Sequence, residues 1–215
     1  MIVAASAATR QDAVSEAARL VEIMLRPIPR VRKELLRQGI KVAIIAESEF
    51  TLDVPENRYL GTEFPDHRWN ERTRGVGPNA RTLTVSAAEE NLLRLPTDRY
   101  QGESIFMHEF SHAIMDFGFK FIDPTFMPEI EASLAEARLK GRWAKTYAQT
   151  NSQEYWAEGY QSYYGANYVP ARPNGVHNGV NSPEALRRHD PRLYRLLFRC
   201  LGKPRYNWRE DRQRP

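Results

Sequence analysis

The sequence is poor in cysteine and has no long hydrophobic run. Cys200 is the only cysteine among 215 residues, which excludes an internal disulfide and a cysteine-based metal cluster and leaves the redox compartment open. No apolar run approaches the roughly 20 residues of a membrane-spanning helix, so we predict no membrane partner. The N-terminal residues, MIVAASAATRQD, lack the basic start and the full apolar core of a complete signal peptide. The compartment stays open: secreted if Met1 replaces a removed leader, and cytoplasmic otherwise.

Positive charge is concentrated at the C-terminal end. The net charge is +4, and residues 186–215 hold ten Arg or Lys and three Asp or Glu, a surplus of 7, which leaves −3 for the rest of the chain. A basic end can contact nucleic acid or an acidic partner. The tail KPRYNWREDRQRP also contains acids, however, and resembles no nucleic-acid-binding module. We therefore predict no nucleic-acid partner, and a flexible basic tail over residues 203–215.

Composition and periodicity predict one α+β domain over residues 1–215. Hydrophobic residues are 41% and charged residues 27% of the chain, as in a globular protein with its own core. Two segments, KVAIIAE (41–47) and RTLTVS (81–86), are predicted strands, and residues 52–80 between them are predicted to form a long ordered loop. Helices are predicted for 11–26, 30–39, 102–118, 128–141, 151–165, 182–189 and 190–202. The predicted architecture is a small mixed sheet followed by a mostly helical C-terminal half.

The strongest functional signal is HEFSH within SIFMHEFSHAI, residues 104–114. In a helix, residues four apart project from one face, so His108 and His112 can offer two imidazole nitrogens to one Zn²⁺ ion about 2 Å away. Glu109, next to the first histidine, would then serve as general base for a water held by the metal. The competing interpretation is two partly buried histidines bonded to core carbonyls, with a surface glutamate beside them.

A catalytic zinc site needs a third protein ligand and an open position for water. The best candidates are Glu154 and Glu158 in SQEYWAEGYQSYY, because residues four apart share one helix face. One can bind zinc while the other supports a histidine ligand and sets its tautomer. Alternatively, Glu154 closes a capping box with Asn151, and Glu158 lies on a solvated face. Asp116, four residues after His112, is better placed for a supporting or capping role. Further possible ligands are Asp123, His177 and His189.

HEFSH followed 42 residues after His112 by EYWAEG resembles the gluzincin group of zinc metallopeptidases. Within that group it is most similar to catalytic domains of the anthrax lethal factor type. The resemblance implies a zincin-like fold with an active-site helix and one Zn²⁺ bound by His108, His112 and Glu154. It also implies that Glu158 supports the metal ligands without binding the metal itself.

The same resemblance covers residues 75–165 well and the flanks only loosely. It implies that Tyr147, seven residues before the ligand Glu154, helps to bind the oxyanion of the tetrahedral intermediate. In zincins, an edge strand beside the zinc helix pairs with the extended substrate. The predicted strand 81–86 is the candidate for that role, unless it is an ordinary core strand.

The expected function is zinc-dependent hydrolysis of a peptide or protein substrate, with Glu109 as the base. Two alternatives remain. The first is a zinc hydrolase for a non-peptide substrate, because a ligand set does not determine which bond is cut. The second is a catalytically silent, zinc-containing binding protein, although a structural zinc site needs no general base and is usually closed by four protein ligands. Cleavage specificity and oligomeric state are left open.

Overall fold

A computed structural model gives the conformation of residues 1–211. They contain a mixed sheet in which three strands run parallel and the fourth, at one edge, is antiparallel. In sheet order the strands are β1 (Ile2–Ala5), β2 (Lys41–Ile45), β4 (Thr84–Ala88) and β3 (Gly75–Val76). Most of the chain after β4 is helical, so the predicted α+β class with a small mixed sheet is confirmed.

The inner strands are buried, which explains their composition. The predicted strand 41–47 is confirmed as β2, in which every residue after Lys41 is buried, as is usual for parallel strands with both faces covered. The sequence did not predict β1, whose residues pair in register with β2, from Ile2 with Lys41 to Ala5 with Ile44. Four residues are too few to show a clear periodicity, so only the pairing reveals this strand.

The predicted strand 81–86 is displaced along the chain and does not lie at an edge. β4 begins at Thr84 and ends at Ala88, all its residues are buried, and it lies between β2 and β3. Its suggested role as the edge strand for a substrate is therefore wrong. In the described part of the chain, the edge next to β4 is β3, inside the predicted loop 52–80. A strand of two residues leaves no periodic pattern, which is why the sequence did not indicate it.

Helices pack around the sheet and supply most of the core. The longer ones are α1 (Gln11–Leu25), α2 (Pro29–Gln38), α6 (Ile105–His112), α8 (Phe126–Leu139), α9 (Ser152–Tyr163), α10 (Pro183–His189) and α11 (Pro191–Leu201). The short ones are α3 (Arg58–Glu63), α4 (Trp69–Arg72), α5 (Glu89–Leu92) and α7 (Lys120–Ile122). Every predicted helix overlaps an observed one, whereas α3 and α4 fall in the predicted loop. Within residues 1–211, none of the helices combines the length and the apolar character that crossing a bilayer requires.

The helix that begins at Ile105 does not end at Gly118, as the sequence predicted. After α6 the chain continues as a π-helical turn, Ala113–Phe119, and then as α7. A Cβ atom on Gly118 would lie 2.5 Å from Cγ1 of Val31. The glycine therefore lets α2 pack closely against this turn and does not terminate the helix. π-helical turns are frequent at functional sites, and this one follows His112 directly.

One hydrophobic core joins the N-terminal helices, the sheet and the C-terminal helices. It extends to Trp208, which is 4% exposed and whose backbone N–H donates to the carbonyl of Tyr164 at 2.8 Å. Asp211 pairs with Arg19 on α1. The prediction of a flexible tail over 203–215 is therefore wrong as far as residue 211, and the last four residues lie outside the described part. Burial of the aromatic side chain of Trp208 stabilises this packing despite the basic charge of the segment.

Candidate metal centre

The helix α6 presents its two histidines from a rigid, buried scaffold. The hydroxyl of Ser104 caps its start by accepting a backbone N–H three residues on, at 3.2 Å. Phe106 and Phe110 are fully buried and stack with ring centroids 5.6 Å apart. His108 and His112 are each 8% exposed and line a cavity. One face of α6 is thus anchored in the core, and the histidines face the cavity.

The helix α9 brings a carboxylate to these histidines. Its N-cap is Asn151, whose side chain accepts the backbone N–H of Glu154 at 2.8 Å. The carboxylate of Glu154 is turned to the other helix, with Oε2 at 3.0 Å from Nε2 of His108 and 3.7 Å from Nε2 of His112. The alternative of a closed capping box does not describe this residue, because its side chain contacts the imidazoles.

The three donor atoms fit a transition-metal ion. They lie within 4.8 Å of one another, and ligands about 2.1 Å from a tetrahedral ion would be separated by about 3.4 Å, between the two observed distances to Glu154. Burial disfavours a charged His108, but the hydrogen bond to Glu154 and the negative charges of the neighbouring glutamates together raise the pKa of His108 to about 10. Burial and the neighbouring His108 lower the pKa of His112 to about 4. The surrounding carboxylates thus favour positive charge at this position, as a bound metal ion would provide.

The residue that contacts Nδ1 of His108 is Gln161. The sequence had suggested Glu158 for this role. Nδ1 of His108 lies 2.9 Å from Oε1 of Gln161, whereas the nearest oxygen of Glu158 is 3.9 Å away. The amide N–H of Gln161 donates to the carbonyl of Ser104 at 3.1 Å, so its oxygen is left to accept. This contact holds a proton on Nδ1 and turns Nε2 towards Glu154, as a metal-binding histidine requires.

Glu158 belongs instead to a second buried polar group on the cavity wall. It is 2% exposed and accepts a hydrogen bond from Nδ2 of Asn167 at 2.9 Å, so it does not lie on a solvated face. Its Oε2 is 3.4 Å from Nδ1 of His177, and Nε2 of that ring is 3.4 Å from Glu103. Burial opposes a charge on His177, but the two carboxylates raise its pKa to about 9. His177 is therefore a cation between two acids and is not turned to the metal position.

Glu109 lies in the cavity between α6 and the edge strand β3. Burial, the largest effect, raises the pKa of Glu109 to about 7, although the neighbouring His108 acts in the opposite direction. A Cβ atom on Gly75 would lie 2.5 Å from Cγ2 of Ile105 and 3.1 Å from Cγ of Glu109. One on Gly77 would lie 3.2 Å from the His112 ring. The sequence Gly-Val-Gly thus allows β3 to approach the histidine helix closely.

Tyr147 also reaches the cavity, from the turn before α9. Its backbone N–H donates to the carbonyl of Val176 at 2.9 Å. Four residues earlier, Trp143 is buried with φ 57° and donates its indole N–H to Asp190 at 3.0 Å. Burial and then the negative charge of Glu154 raise the pKa of Tyr147. The phenol therefore stays protonated and can donate beside the metal position.

The remaining sequence candidates lie away from the donor atoms. Burial raises the pKa of the Asp116 carboxyl, and the residue is not among the donors that converge. Asp123 accepts from the backbone N–H two residues later, at 2.9 Å, and is an ordinary turn residue. His189 packs edge-on against Trp143 with ring centroids 4.7 Å apart. Sequence reasoning missed Gln161 and Gly75, although Gln161 lies seven residues after Glu154 on the same helix and therefore on the same face.

The groups described above converge on one cavity of about 480 Å³, which extends along β3 and the segment before it. Its chemically active lining comprises His108, Glu109, His112, Tyr147, Glu154, Glu158, His177 and Glu103. No protein-family model, no curated protein and no solved structure matches this chain. A function for the site must therefore be inferred from its own geometry and chemistry.

Replacing Gln161 by leucine is expected to weaken metal binding by about 10–100-fold, the usual effect of losing an outer partner of a ligand. The reason is that Nδ1 of His108 loses its acceptor, so the ring is no longer held in the binding tautomer. Gln153→Leu is the matched control, because Gln153 is on the same helix but its side-chain oxygen accepts from the hydroxyl of Ser152 at 3.2 Å. A competition titration with a chromophoric chelator measures both. Equal affinities for the two variants would show that Gln161 does not support the ligand.

Proposed function

We propose that this chain is a zinc-dependent metallopeptidase with His108, His112 and Glu154 as metal ligands. The observation that supports it is the convergence of three donor atoms within 4.8 Å of one another in a cavity that Glu109 and Tyr147 also line. Two imidazoles and one carboxylate leave one tetrahedral position open, as catalytic zinc sites do. A purely structural site would use a fourth protein ligand and would need no base beside it.

Each of these residues would have a separate role in hydrolysis. Zinc bound by the three ligands would supply Lewis acidity to a water and to the peptide carbonyl. Glu109 would take the proton of the attacking water and deliver it to the leaving amine as the C–N bond breaks. Its pKa of about 7 suits a group that must both accept and release a proton near neutral pH. Tyr147 would donate its O–H to the oxyanion as negative charge develops.

The edge of β3 is the place where we propose that an extended peptide binds. The carbonyl of Arg74 accepts the N–H of Ala88 at 2.9 Å, so Arg74 faces β4 and the backbone groups of the next residue, Gly75, face away. A peptide added at this edge would pair with those groups. The close approach of Gly75 to Glu109 would hold the peptide beside the catalytic base.

Metal analysis followed by a peptide-library digest tests the proposal. The protein purified with zinc supplementation should contain about one zinc per chain, and removal of the metal by EDTA should abolish cleavage. Cleavage should return when zinc is added back. Failure to take up any transition metal would refute the metal site. Metal uptake with hydrolysis of esters or simple amides, and of no peptide, would favour the non-peptide hydrolase. Metal uptake without any hydrolysis would favour the binding protein.

A further inference from the structure

A larger hollow of about 1060 Å³ lies next to the cavity at the candidate metal centre. The two share His67, Trp69, Arg72 and Val76 in their linings. The hollow is built mainly by α3, α4 and the turn between them, in the segment that the sequence predicted to be a loop. The hollow is therefore a direct neighbour of the cavity at the candidate metal centre.

Aromatic and apolar side chains dominate the hollow. Phe64 is 53% exposed, and it lies beside Tyr59, Leu60, Pro65 and Trp69. The indole N–H of Trp69 donates to the carbonyl of Phe64 at 3.1 Å, and the ring of His67 lies 3.9 Å from the indole. These contacts hold the indole of Trp69 in place, while the ring of Phe64 stays exposed. An exposed aromatic ring within an apolar patch is typical of a binding surface.

Four charged side chains also line the hollow: Glu63, Asp66, Arg72 and Arg81. Two of them are used by its wall, because Arg81 pairs with Glu63 and stacks over the ring of Tyr59 at 4.3 Å. Aromatic and apolar residues supply seven of the thirteen lining residues, and burying an apolar group against them is favourable.

We propose that this hollow binds a bulky apolar or aromatic side chain of the peptide substrate, within a few residues of the bond that is cut. The inference rests on the proposed function. A peptide paired with the β3 edge directs alternate side chains to opposite faces, and Val76 of β3 lines both the cavity and the hollow. The backbone would thus remain beside Glu109 while one side chain enters the hollow. Main-chain pairing supplies affinity in this mode, and the pocket for a side chain supplies specificity.

Pairs of peptides that differ only in phenylalanine or serine at one position near the cleaved bond test the inference. At one such position, zinc-loaded wild-type protein should cleave the phenylalanine peptide with a kcat/KM at least about 10-fold above that of its serine partner. Phe64→Ala should remove most of that preference and leave the serine peptide unaffected. Phe121→Ala is the matched control, because Phe121 is 57% exposed but lies on α7, away from the hollow.

Two results would overturn the inference while the proposed function stands: no phenylalanine preference at any position, or an unchanged preference in Phe64→Ala. Wild-type protein that binds zinc and cleaves no peptide would refute the proposed function, and this inference with it. Binding of fluorescently labelled peptides to zinc-loaded Glu109→Gln gives a readout that does not depend on turnover. The phenylalanine peptide should bind more tightly there, and adding Phe64→Ala should remove the difference.

Discussion

Glu109→Gln is expected to retain its zinc and to lose hydrolysis by about 10²–10⁴-fold, the usual contribution of a positioned general base. Glutamine has the size of glutamate, so it can occupy the same place beside β3 and α6. It cannot accept the proton of the attacking water. The loss should therefore appear in kcat, while the metal content and the melting temperature change little.

Glu103→Gln is the control for this first variant, because Glu103 lines the same cavity but lies against His177, 3.4 Å from its Nε2. Steady-state kinetics with one cleavable peptide, together with metal analysis, compares the two. A clearly smaller loss in Glu103→Gln would show that the base at Glu109 matters, and not merely the negative charge of the cavity. Near-normal turnover in Glu109→Gln would rule out this residue as the base.

Tyr147→Phe is expected to lower kcat by about 10²–10³-fold, as removal of one oxyanion donor does. The ring is retained and the residue is 42% exposed, so packing should survive. The backbone contact with Val176 does not involve the hydroxyl. Because the donor acts on a charge that develops only in the transition state, KM should change little.

Tyr147 also interacts electrostatically with Glu154, which gives a competing outcome. If that interaction mainly orients the ligand, the variant would lose zinc affinity and keep its turnover at saturating zinc. A zinc titration alongside the kinetics separates the two. Tyr168→Phe is a suitable control, since Tyr168 is 37% exposed and packs against His177 at the margin of the site, with ring centroids 5.7 Å apart.

The helical parts of the candidate site could be predicted from local spacing. Residues four apart in a helix share a face, so His108 with His112 could be assigned to one side of α6. Caps also gave reliable starts, as Asn151 does for α9. Helical spacing left Glu154 and Glu158 as alternatives, and the family resemblance selected Glu154, the residue that the structure places against the two imidazoles. From spacing alone the choice depended on how α9 rotates against α6, which is a property of packing.

Long-range contacts account for the errors. Gln161, not Glu158, meets His108, because the two helices cross at a point that neither sequence segment encodes alone. The edge beside α6 is formed by β3 and not by the predicted strand 81–86, since strand order depends on which segments pair and not on their own periodicity. The basic tail packs through Trp208 because a complementary apolar surface near Tyr164 is available to it.

The sequence by itself determined the α+β class, the main helices, and the side of α6 on which His108 and His112 lie, because each depends on residues within a few positions of one another. The tertiary structure brings Glu154 to them, as the family resemblance implied, and it alone shows that Gln161 contacts the first histidine and that an aromatic hollow shares part of its lining with the cavity. Those arrangements join segments tens of residues apart. Their relative position follows from how the core packs as a whole, which no local pattern of residues contains.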